Sequence, residues 1–300
     1  MHITELTDLD YAGTGLQSHK LYLAIPESTS KITPGASTDG TAPAPHPLIV
    51  YIHGGGWVGG NFDAGATGLA TGRADTEAFL KAGYAVAVIN YRLSTEARWP
   101  AQIHDCKAAI RFLRAHASDW NIDPNRIVAW GASAGAHLAQ FLGFTNGNEH
   151  YDNRSIGYDT ATRNASSDVN VVIAAFGISN IATWSTSDAY WHDMVEYYKD
   201  TILGADRTAA EEADASPIAH VTTSPSLAET MPPMLLAHAD DDPVVPAQQT
   251  RALECRLREA GLSEHIETWY PETGGHGDPE VWRSPKATTR FIGFCNAHLG

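Results

Sequence analysis

The sequence predicts an α/β protein in which helices cover both faces of a mostly parallel sheet of about eight strands. Short apolar runs alternate with amphipathic segments of helix length along most of the chain, which is the pattern of repeated strand-helix-strand units. The runs are continuously apolar, as expected for parallel strands that are buried on both faces. The chain has 300 residues, of which 43% are hydrophobic and 18% charged, so it is long enough to form one large globular domain.

The predicted elements follow this alternation from end to end. From Pro100 the apolar residues Ile103, Cys106, Ile110 and Leu113 recur every three or four positions, which predicts a helix with one buried face. Strands are predicted at 21–25, 47–52, 84–91, 126–130, 169–177, 232–239 and 265–270. Helices are predicted at 74–83, 100–117, 134–144 and 247–260, and after residue 279.

Two segments interrupt the alternation. Residues 27–47 are rich in Pro, Ser, Thr and Gly and have no apolar period, which predicts an exposed loop. Residues 178–225 are rich in Trp, Tyr and Ser, and we expect them to form a small cap over the carboxyl ends of the strands. We therefore predict a single domain over residues 1–300, with the cap as an insertion.

Charge and composition exclude several classes of partner. The formal net charge is −15, from 35 acidic and 20 basic residues, which disfavours a nucleic-acid partner. Residues 1–13 have neither a basic start nor an apolar run, so we expect no export signal, no membrane span and a cytoplasmic protein. The cysteines Cys106, Cys255 and Cys295 are too few and too scattered for a disulfide framework, and each is predicted to be a buried thiol in a helix.

The segment GASAGAH at 131–137 places one serine among small residues. The apolar run before it and the helix predicted after it put Ser133 on a sharp turn from strand to helix. Gly131 and Gly135, two positions to either side, complete the GxSxG pattern of a nucleophile elbow. The alternative is a helix that merely packs close to the sheet. Ser133 is therefore a candidate nucleophile.

A glycine-rich loop, HGGGW at 53–57, follows the predicted strand 47–52. Ligands of open parallel sheets bind beyond the carboxyl ends of the strands, and successive glycines let backbone N–H groups face a ligand. We predict that Gly55, Gly56 and the N–H of Ala134 form an oxyanion hole, and that Trp57 contacts the acyl group. A bend without a ligand is the alternative, and a phosphate site is disfavoured because no GKS or GKT sequence ends the loop.

A serine nucleophile needs an imidazole to take its proton. His276 lies in the glycine-rich sequence ETGGHGD, a few residues after the predicted strand 265–270, from which its side chain can reach over the edge of the sheet. His53 and His238 also lie at strand ends, but histidines there are commonly hydrogen-bonded to the backbone. His276 is the predicted base.

The imidazole needs a carboxylate that fixes its tautomer. HADDDPVVP, at 238–246, offers three aspartates directly after a predicted strand. Asp242 is the predicted acid, with Asp240 as the alternative. The resulting order along the chain, Ser133, Asp242 and His276, is the order found in α/β-hydrolases.

These motifs together carry a family resemblance. They are HGGGWVGG at 53–60, NYRLS at 90–94, WPAQIHDCKAAIRFLRAHA at 99–117, GASAGAHLA at 131–139, and HADDDPVVPAQQT at 238–250 followed by GGHG at 274–277. The chain resembles the α/β-hydrolase esterases of the bifunctional feruloyl and acetyl-xylan esterase type, close to the hormone-sensitive-lipase-like and kynurenine-formamidase-like esterases. The resemblance spans about residues 47–295 and implies that Asp242 is the acid, His276 the base and the glycine pair after His53 the oxyanion hole.

The resemblance also implies an activity. It implies a serine esterase without metal or cofactor, which acts through an acyl-enzyme on small-molecule acetyl, hydroxycinnamoyl and other short or aryl esters. Trp184 and Trp191, in the aromatic segment of the cap, are predicted to bind substrate, but a helix face packed on the cap is the favoured explanation of residues 190–198. Two alternatives stay open, an arylformamidase that uses the same triad and a non-catalytic α/β-hydrolase that serves as a small-molecule receptor.

Overall fold

A computed structural model describes residues 2–27, 44–62 and 72–300, and within these ranges one eight-stranded sheet forms the centre of the protein. The strands are β1 (Ile3–Asp10), β2 (Lys20–Pro26), β3 (His46–Ile52), β4 (Ala85–Ile89), β5 (Ile122–Ala132), β6 (Val171–Ala175), β7 (Met234–Ala237) and β8 (Ile266–Trp269). Their spatial order is β1-β2-β4-β3-β5-β6-β7-β8. β2 is antiparallel to both β1 and β4, and every other neighbouring pair is parallel. The predicted fold class is confirmed.

Helices pack against both faces of the sheet. They are α1 (Gly72–Lys81), α2 (Ala101–Ala115), α3 (Ala134–Phe144), α4 (Thr160–Asn164), α5 (Ala189–Leu203), α6 (Ala209–Asp214), α7 (Pro225–Thr230), α8 (Gln248–Glu259), α9 (Pro279–Trp282) and α10 (Pro285–Leu299). Because side chains alternate along a strand, Val50 and Ile52 of β3 join the core beneath α2 and α3, whereas Ile49 and Tyr51 join the core beneath α1 and α10. The two cores fix the sheet from both sides.

Four details differ from the sequence prediction. The edge strand β1 was not predicted, because most of its side chains are exposed and it carries no buried apolar run. The final helix is divided into α9 and α10, and the Ser284 hydroxyl accepts a hydrogen bond from the N–H of Ala287 at the start of α10. The predicted loop at 27–47 falls mostly on residues 28–43, outside the described ranges, and its last two residues already belong to β3. Cys255 is exposed, so its predicted burial is wrong, whereas Cys106 and Cys295 are buried.

The segment between β6 and β7 carries α5, α6 and α7. The Thr208 side chain and Glu211 form a reciprocal capping box that begins α6. The end of α6 is attached to the rest of the molecule at two points: the indole N–H of Trp99 donates to Asp214 Oδ2 at 2.8 Å, and His137 Nε2–H donates to the carbonyl of Ala215 at 2.8 Å. The 178–225 segment is therefore tied to α3 and to the loop before α2.

Candidate active site

Ser133 stands at the junction of β5 and α3 with φ 56° and ψ −122°, a sparsely populated backbone conformation that is typical of functional turns. Its N–H donates to the carbonyl of Ala175 at 2.9 Å. A Cβ atom on Gly131 would lie 2.0 Å from the carbonyl oxygen of Gly135, and one on Gly135 would lie 2.0 Å from the carbonyl oxygen of Ile52. Both positions must be glycine, which explains why the residues around the serine are so small.

Three of the predicted residues meet in one hydrogen-bonded chain. The Ser133 hydroxyl donates to Nε2 of His276 at 2.8 Å, and Nδ1–H of His276 donates to Oδ2 of Asp242 at 2.7 Å. The Asp242 side chain is fully buried, and that of His276 is 19% exposed. The structure thus brings together side chains that are 143 and 34 residues apart in the sequence.

Every contact of Asp242 favours its ionised form. Oδ1 accepts the backbone N–H groups of Val244 and Val245 at 2.9 and 3.0 Å, and Nε2 of His238 lies 3.3 Å from Oδ2. Burial raises the pKa of this carboxyl, but the hydrogen bonds from His238 and His276 outweigh burial and hold the pKa well below its usual value. Asp242 is therefore an anion throughout the neutral range, as an acid that orients an imidazolium must be.

The sequence alternatives occupy other roles. Asp240 is exposed and forms an ion pair with Arg251 at 2.5 Å. The Nε2–H of His238 is shared between the carbonyl of Val245 at 2.7 Å and Asp242 Oδ2 at 3.3 Å, and Nδ1 accepts from the Thr250 hydroxyl at 2.7 Å. His53 stacks on a tyrosine ring, and burial lowers its pKa to about 4. Among the described histidines, His276 is the one whose ring nitrogen contacts Ser133 Oγ.

Two residues that sequence reasoning missed support the loop of His276. The side chain of Asp241 accepts the N–H of Gly275 at 2.8 Å, next to the imidazole. The ring of Phe176 stands edge-on to His276 with 5.0 Å between ring centroids, and its backbone has φ 45°, which is rare for an aromatic residue. Phe176 directly follows the carboxyl end of β6. Because ligands of open parallel sheets bind beyond the carboxyl ends of the strands, that position could have marked it as a site residue.

The glycine loop runs beside the serine. A Cβ atom on Gly54 would lie 3.2 Å from Cβ of Ser133, and Gly55 has φ 109°, a backbone conformation that requires glycine. Within the described ranges, the N–H groups of Gly55 and Gly56 have no hydrogen-bond acceptor. The N–H of Ala134 opens α3 and has no intrahelical acceptor. Three backbone donors are thus available near Ser133, and their role as an oxyanion hole stays a prediction.

A cavity of about 260 Å³ opens at Ser133 and His276. Trp184 and Trp191 line it, and their binding of substrate stays a prediction. Trp57 is not among the described residues that line this cavity. The Trp57 backbone has φ 59°, and its fully buried ring packs edge-on against Trp184 and His137, with centroid distances of 5.9 and 4.9 Å. The turn of the loop directs the Trp57 side chain into the core, and its contact with substrate stays a prediction.

The opposite wall of the cavity was not predicted. It consists of aromatic side chains from the sheet and from the C-terminal helices, namely Tyr51, Trp130, Phe176, Trp282 and Phe291. Within the described ranges, His, Cys, Asp and Glu form no group of three or more that could hold a metal ion. No helix in the same ranges has the length and apolar character needed to cross a membrane.

Fold and site together define the class of protein. A mostly parallel sheet of eight strands with a serine elbow after β5 is an α/β-hydrolase. The BD-FAE family model matches residues 38–257, more than half of the chain, and the chain belongs to the BD-FAE family. The resemblance inferred from the motifs is confirmed.

The names of similar proteins agree with the predicted enzyme class, a carboxylic ester hydrolase. The "probable carboxylic ester hydrolase LipM" of Mycobacterium tuberculosis is 28% identical over 88% of this chain and 56% of its own length. The "kynurenine formamidase avaC" of Aspergillus versicolor is 27% identical over 82% of this chain and 87% of its own. Among solved structures, a "truncated form of carbohydrate esterase from gut microbiota" superposes with a TM-score of 0.78 at 28% identity and covers 98% of this chain and 96% of its own. The chain spans about half the length of the mycobacterial relatives that it matches.

Proposed function

We propose that this protein is a serine carboxylic-ester hydrolase in which Ser133 is the nucleophile, His276 the general base and acid, and Asp242 the orienting acid. The observation that carries the proposal is the continuous hydrogen-bonded chain from Ser133 through His276 to Asp242 at the edge of the cavity. Nucleophile, base and orienting group lie within hydrogen-bond reach of one another, which is the arrangement that activates a serine hydroxyl.

The geometry supports the following reaction. Ser133 Oγ attacks the ester carbonyl while Nε2 of His276 takes its proton, and the carboxylate of Asp242 stabilises the resulting imidazolium. The N–H groups of Gly55, Gly56 and Ala134 stabilise the oxyanion, and each such donor lowers the barrier by about 3 to 4 kcal/mol in comparable enzymes. His276 then protonates the leaving alkoxide, which departs as the alcohol. The same imidazole activates a water molecule that hydrolyses the acyl-enzyme.

We assign acetyl and hydroxycinnamoyl esters as the substrate class. Family membership and the likeness to a carbohydrate esterase support this assignment. The cavity supports it as well, because its volume of about 260 Å³ and its aromatic walls suit an aryl group better than an acetyl group alone. In this assignment residues 178–225 act as the cap that carries one of those walls.

The test is hydrolysis of p-nitrophenyl acetate and methyl ferulate by the wild type and by Ser133→Ala. The variant should lose activity by several orders of magnitude, because removal of one member of such a triad abolishes its combined effect. A fluorophosphonate probe should label the wild type on Ser133 and leave the variant unlabelled. Equal, slow turnover by both proteins together with no labelling would contradict the proposal and favour a non-catalytic receptor.

A second candidate activity is arylformamidase. It is favoured by the likeness to a kynurenine formamidase over most of both chains. The same serine, imidazole and oxyanion donors can cleave a formyl amide, so the two activities differ in substrate recognition and not in mechanism. The ratio of kcat/KM for N-formylkynurenine to kcat/KM for methyl ferulate distinguishes the two activities. The proposed esterase function requires a ratio below one.

A further inference from the structure

His137 is a fully buried histidine in the first turn of α3. Its backbone N–H donates to the carbonyl of Ser133 at 3.1 Å, so its side chain is held one helical turn after the proposed nucleophile. The described lining of the cavity does not include His137. Any effect of this side chain on the reaction must therefore pass through the residues that it contacts.

The imidazole of His137 has two ways to act on its surroundings. A carbonyl oxygen only accepts hydrogen bonds, so the 2.8 Å contact with the carbonyl of Ala215 places the hydrogen on Nε2. Burial lowers the pKa of His137 to about 4, which keeps the ring neutral near pH 7. Nδ1 has no hydrogen-bond partner among the described residues. The side chain therefore acts through one hydrogen bond and through the packing of its ring.

The ring of His137 supports the glycine loop. It stands edge-on to the indole of Trp57, with 4.9 Å between ring centroids. The carbonyl of Trp57 accepts the N–H of Ser94 at 2.7 Å. Trp57 directly follows the predicted oxyanion donors Gly55 and Gly56. Because both the ring and the carbonyl of Trp57 are held, this residue fixes the backbone of the loop at the two glycines.

The hydrogen bond from His137 supports one wall of the cavity. Its acceptor, Ala215, is followed by Ser216, and the Ser216 hydroxyl oxygen accepts the N–H of Ile181 at 2.8 Å. The N–H of Trp184 donates to the carbonyl of Ile181 at 3.3 Å, and Trp184 lines the cavity. A short series of bonds thus connects His137 to a wall formed by the 178–225 segment.

The proposed reaction requires the oxyanion donors and the cavity wall to stand at fixed distances from Ser133. We propose that His137 is a positioning residue, which holds the glycine loop through Trp57 and the cavity wall through Ala215. This inference rests on the proposed esterase function. Oxyanion donors act in the transition state, whereas the wall binds substrate and transition state alike. Loss of the ring contact should therefore lower kcat, and loss of the hydrogen bond should raise KM.

Two substitutions of His137 separate these contacts. His137→Gln keeps an N–H donor for Ala215 but removes the ring beside Trp57. It should lower kcat by roughly tenfold or more, because small displacements of catalytic groups are costly, and leave KM within about twofold of wild type. His137→Phe keeps a ring but removes the donor. It should raise KM about fivefold, the effect of one neutral hydrogen bond, and leave kcat within about twofold.

The measurement is steady-state hydrolysis of p-nitrophenyl acetate and methyl ferulate. A fluorophosphonate that labels Ser133 counts the active sites, and kcat is expressed per labelled site. Unfolded protein then lowers the number of sites and not kcat, so a merely structural role of His137 leaves both constants unchanged. Urea unfolding of each variant records the loss of stability separately.

The matched control is His220→Phe. Nε2–H of His220 donates to the carbonyl of Asp214 at 2.9 Å, in the same segment as Ala215. The described ring contacts of His220 do not include Trp57. Asp214 stays held in this variant, because its carboxylate also accepts from Trp99 and Tyr151. Both kcat and KM should therefore remain within about twofold of wild type.

The inference is overturned if the effects of His137→Gln and His137→Phe do not divide between kcat and KM as stated, or if His220→Phe matches them. If the His137 variants do not fold, Trp57→Phe and Ser216→Ala test the two contacts from their other ends. An unchanged kcat for Trp57→Phe or an unchanged KM for Ser216→Ala then overturns the inference. These outcomes with an active wild type refute the positioning role alone, whereas a wild type without Ser133-dependent turnover refutes the esterase function as well.

Discussion

A Cβ atom on Gly135 would lie 2.0 Å from the carbonyl oxygen of Ile52, so the start of α3 rests directly on the backbone of β3. The contact is with backbone, which cannot move aside as a flexible side chain can. Gly135 therefore sets how closely the helix approaches the sheet and, with it, where Ser133 Oγ stands. The position of Ser133, the proposed nucleophile, is determined by packing two residues away from it.

Gly135→Ala should disrupt this packing. We expect the free energy of unfolding to fall by about 3 kcal/mol, the upper range for overpacking, and kcat/KM to fall roughly 100-fold, because displacement by about 1 Å has that effect in active sites. Urea unfolding and ester hydrolysis measure the two quantities.

Gly293→Ala is the matched control for Gly135→Ala. Gly293 also lies in a helix, α10, but its added Cβ would meet nothing within 4 Å. Alanine there should raise the free energy of unfolding by about 0.5 to 1 kcal/mol through helix propensity. Equal responses of the two glycines would contradict the close-approach explanation.

Asp240 and Asp242, two positions apart in the turn after β7, should respond differently to the same substitution. Asp242→Asn removes the anion that contacts His276 Nδ1 and should lower kcat by roughly 10⁴-fold, as the equivalent change does in serine proteases. Asp240→Asn removes an exposed ion pair with Arg251 and should change kcat less than about twofold. Steady-state kinetics on one ester measures kcat for both variants. A larger loss of kcat for Asp240→Asn than for Asp242→Asn would reverse the assignment of the acid.

Asp242 should also make stability depend on pH. Its pKa is lowered in the folded protein, so its ionised form stabilises the fold, and this contribution is fully present above about pH 4, the pKa of an unfolded aspartate. It is lost as the pH falls through the lower, folded pKa. The difference in unfolding free energy between wild type and Asp242→Asn should therefore shrink below about pH 4, and a difference that stays constant to pH 2 would contradict this expectation.

The interior of the fold was predictable because buried strands and helices show a regular pattern of apolar residues in the sequence. The predicted bounds of α3 are those observed, and each apolar run that was assigned as a strand overlaps a strand of the sheet. β1 was missed because an exposed edge strand carries no such pattern. The serine, the imidazole and the acid could be predicted from motif and order, but the choice between Asp240 and Asp242 depends on the turn after β7, which directs only one of them towards His276.

The substrate cavity was less predictable than the nucleophile. Trp57 follows the three glycines of the loop at 53–57, yet its positive φ directs the ring into the core. Tyr51 and Trp130 look like ordinary core residues in their strands, and they face the cavity together only through the register of β3 with β5. Adjacency in sequence does not specify which side of a loop or sheet a side chain occupies.

The three cysteines should differ in reactivity. Cys255 is exposed on α8, whereas Cys106 and Cys295 are buried. Ellman's reagent should modify one thiol per chain in the native protein and all three in denaturant, and Cys255→Ser should abolish the native reaction. The reaction should be slow near neutral pH, because the hydrogen bond to Glu259 raises the pKa of the Cys255 thiol. Modification of two or more thiols in the native state would contradict the observed burial.

Lys107 on α2 is fully buried, and its ammonium group donates to the carbonyl of Thr145 at 2.7 Å. Burial lowers its pKa to about 8, whereas in the unfolded chain the value is about 10.4. Between these two values the unfolded state binds more protons, so the free energy of unfolding should rise with pH there, by up to roughly 3 kcal/mol. Below pH 8 both states are protonated and this contribution does not change.

Lys107→Met should remove that rise while it keeps most of the buried volume. We expect the unfolding free energy of wild type, measured in urea from pH 7 to pH 10, to increase relative to that of the variant, because all other titrating groups are common to both proteins. The same comparison with Lys81→Met is the control, since Lys81 is an exposed lysine paired with Glu77 and should show no such divergence. Parallel curves for wild type and Lys107→Met would mean that the buried amine stays protonated across this range, held by its hydrogen bond to Thr145.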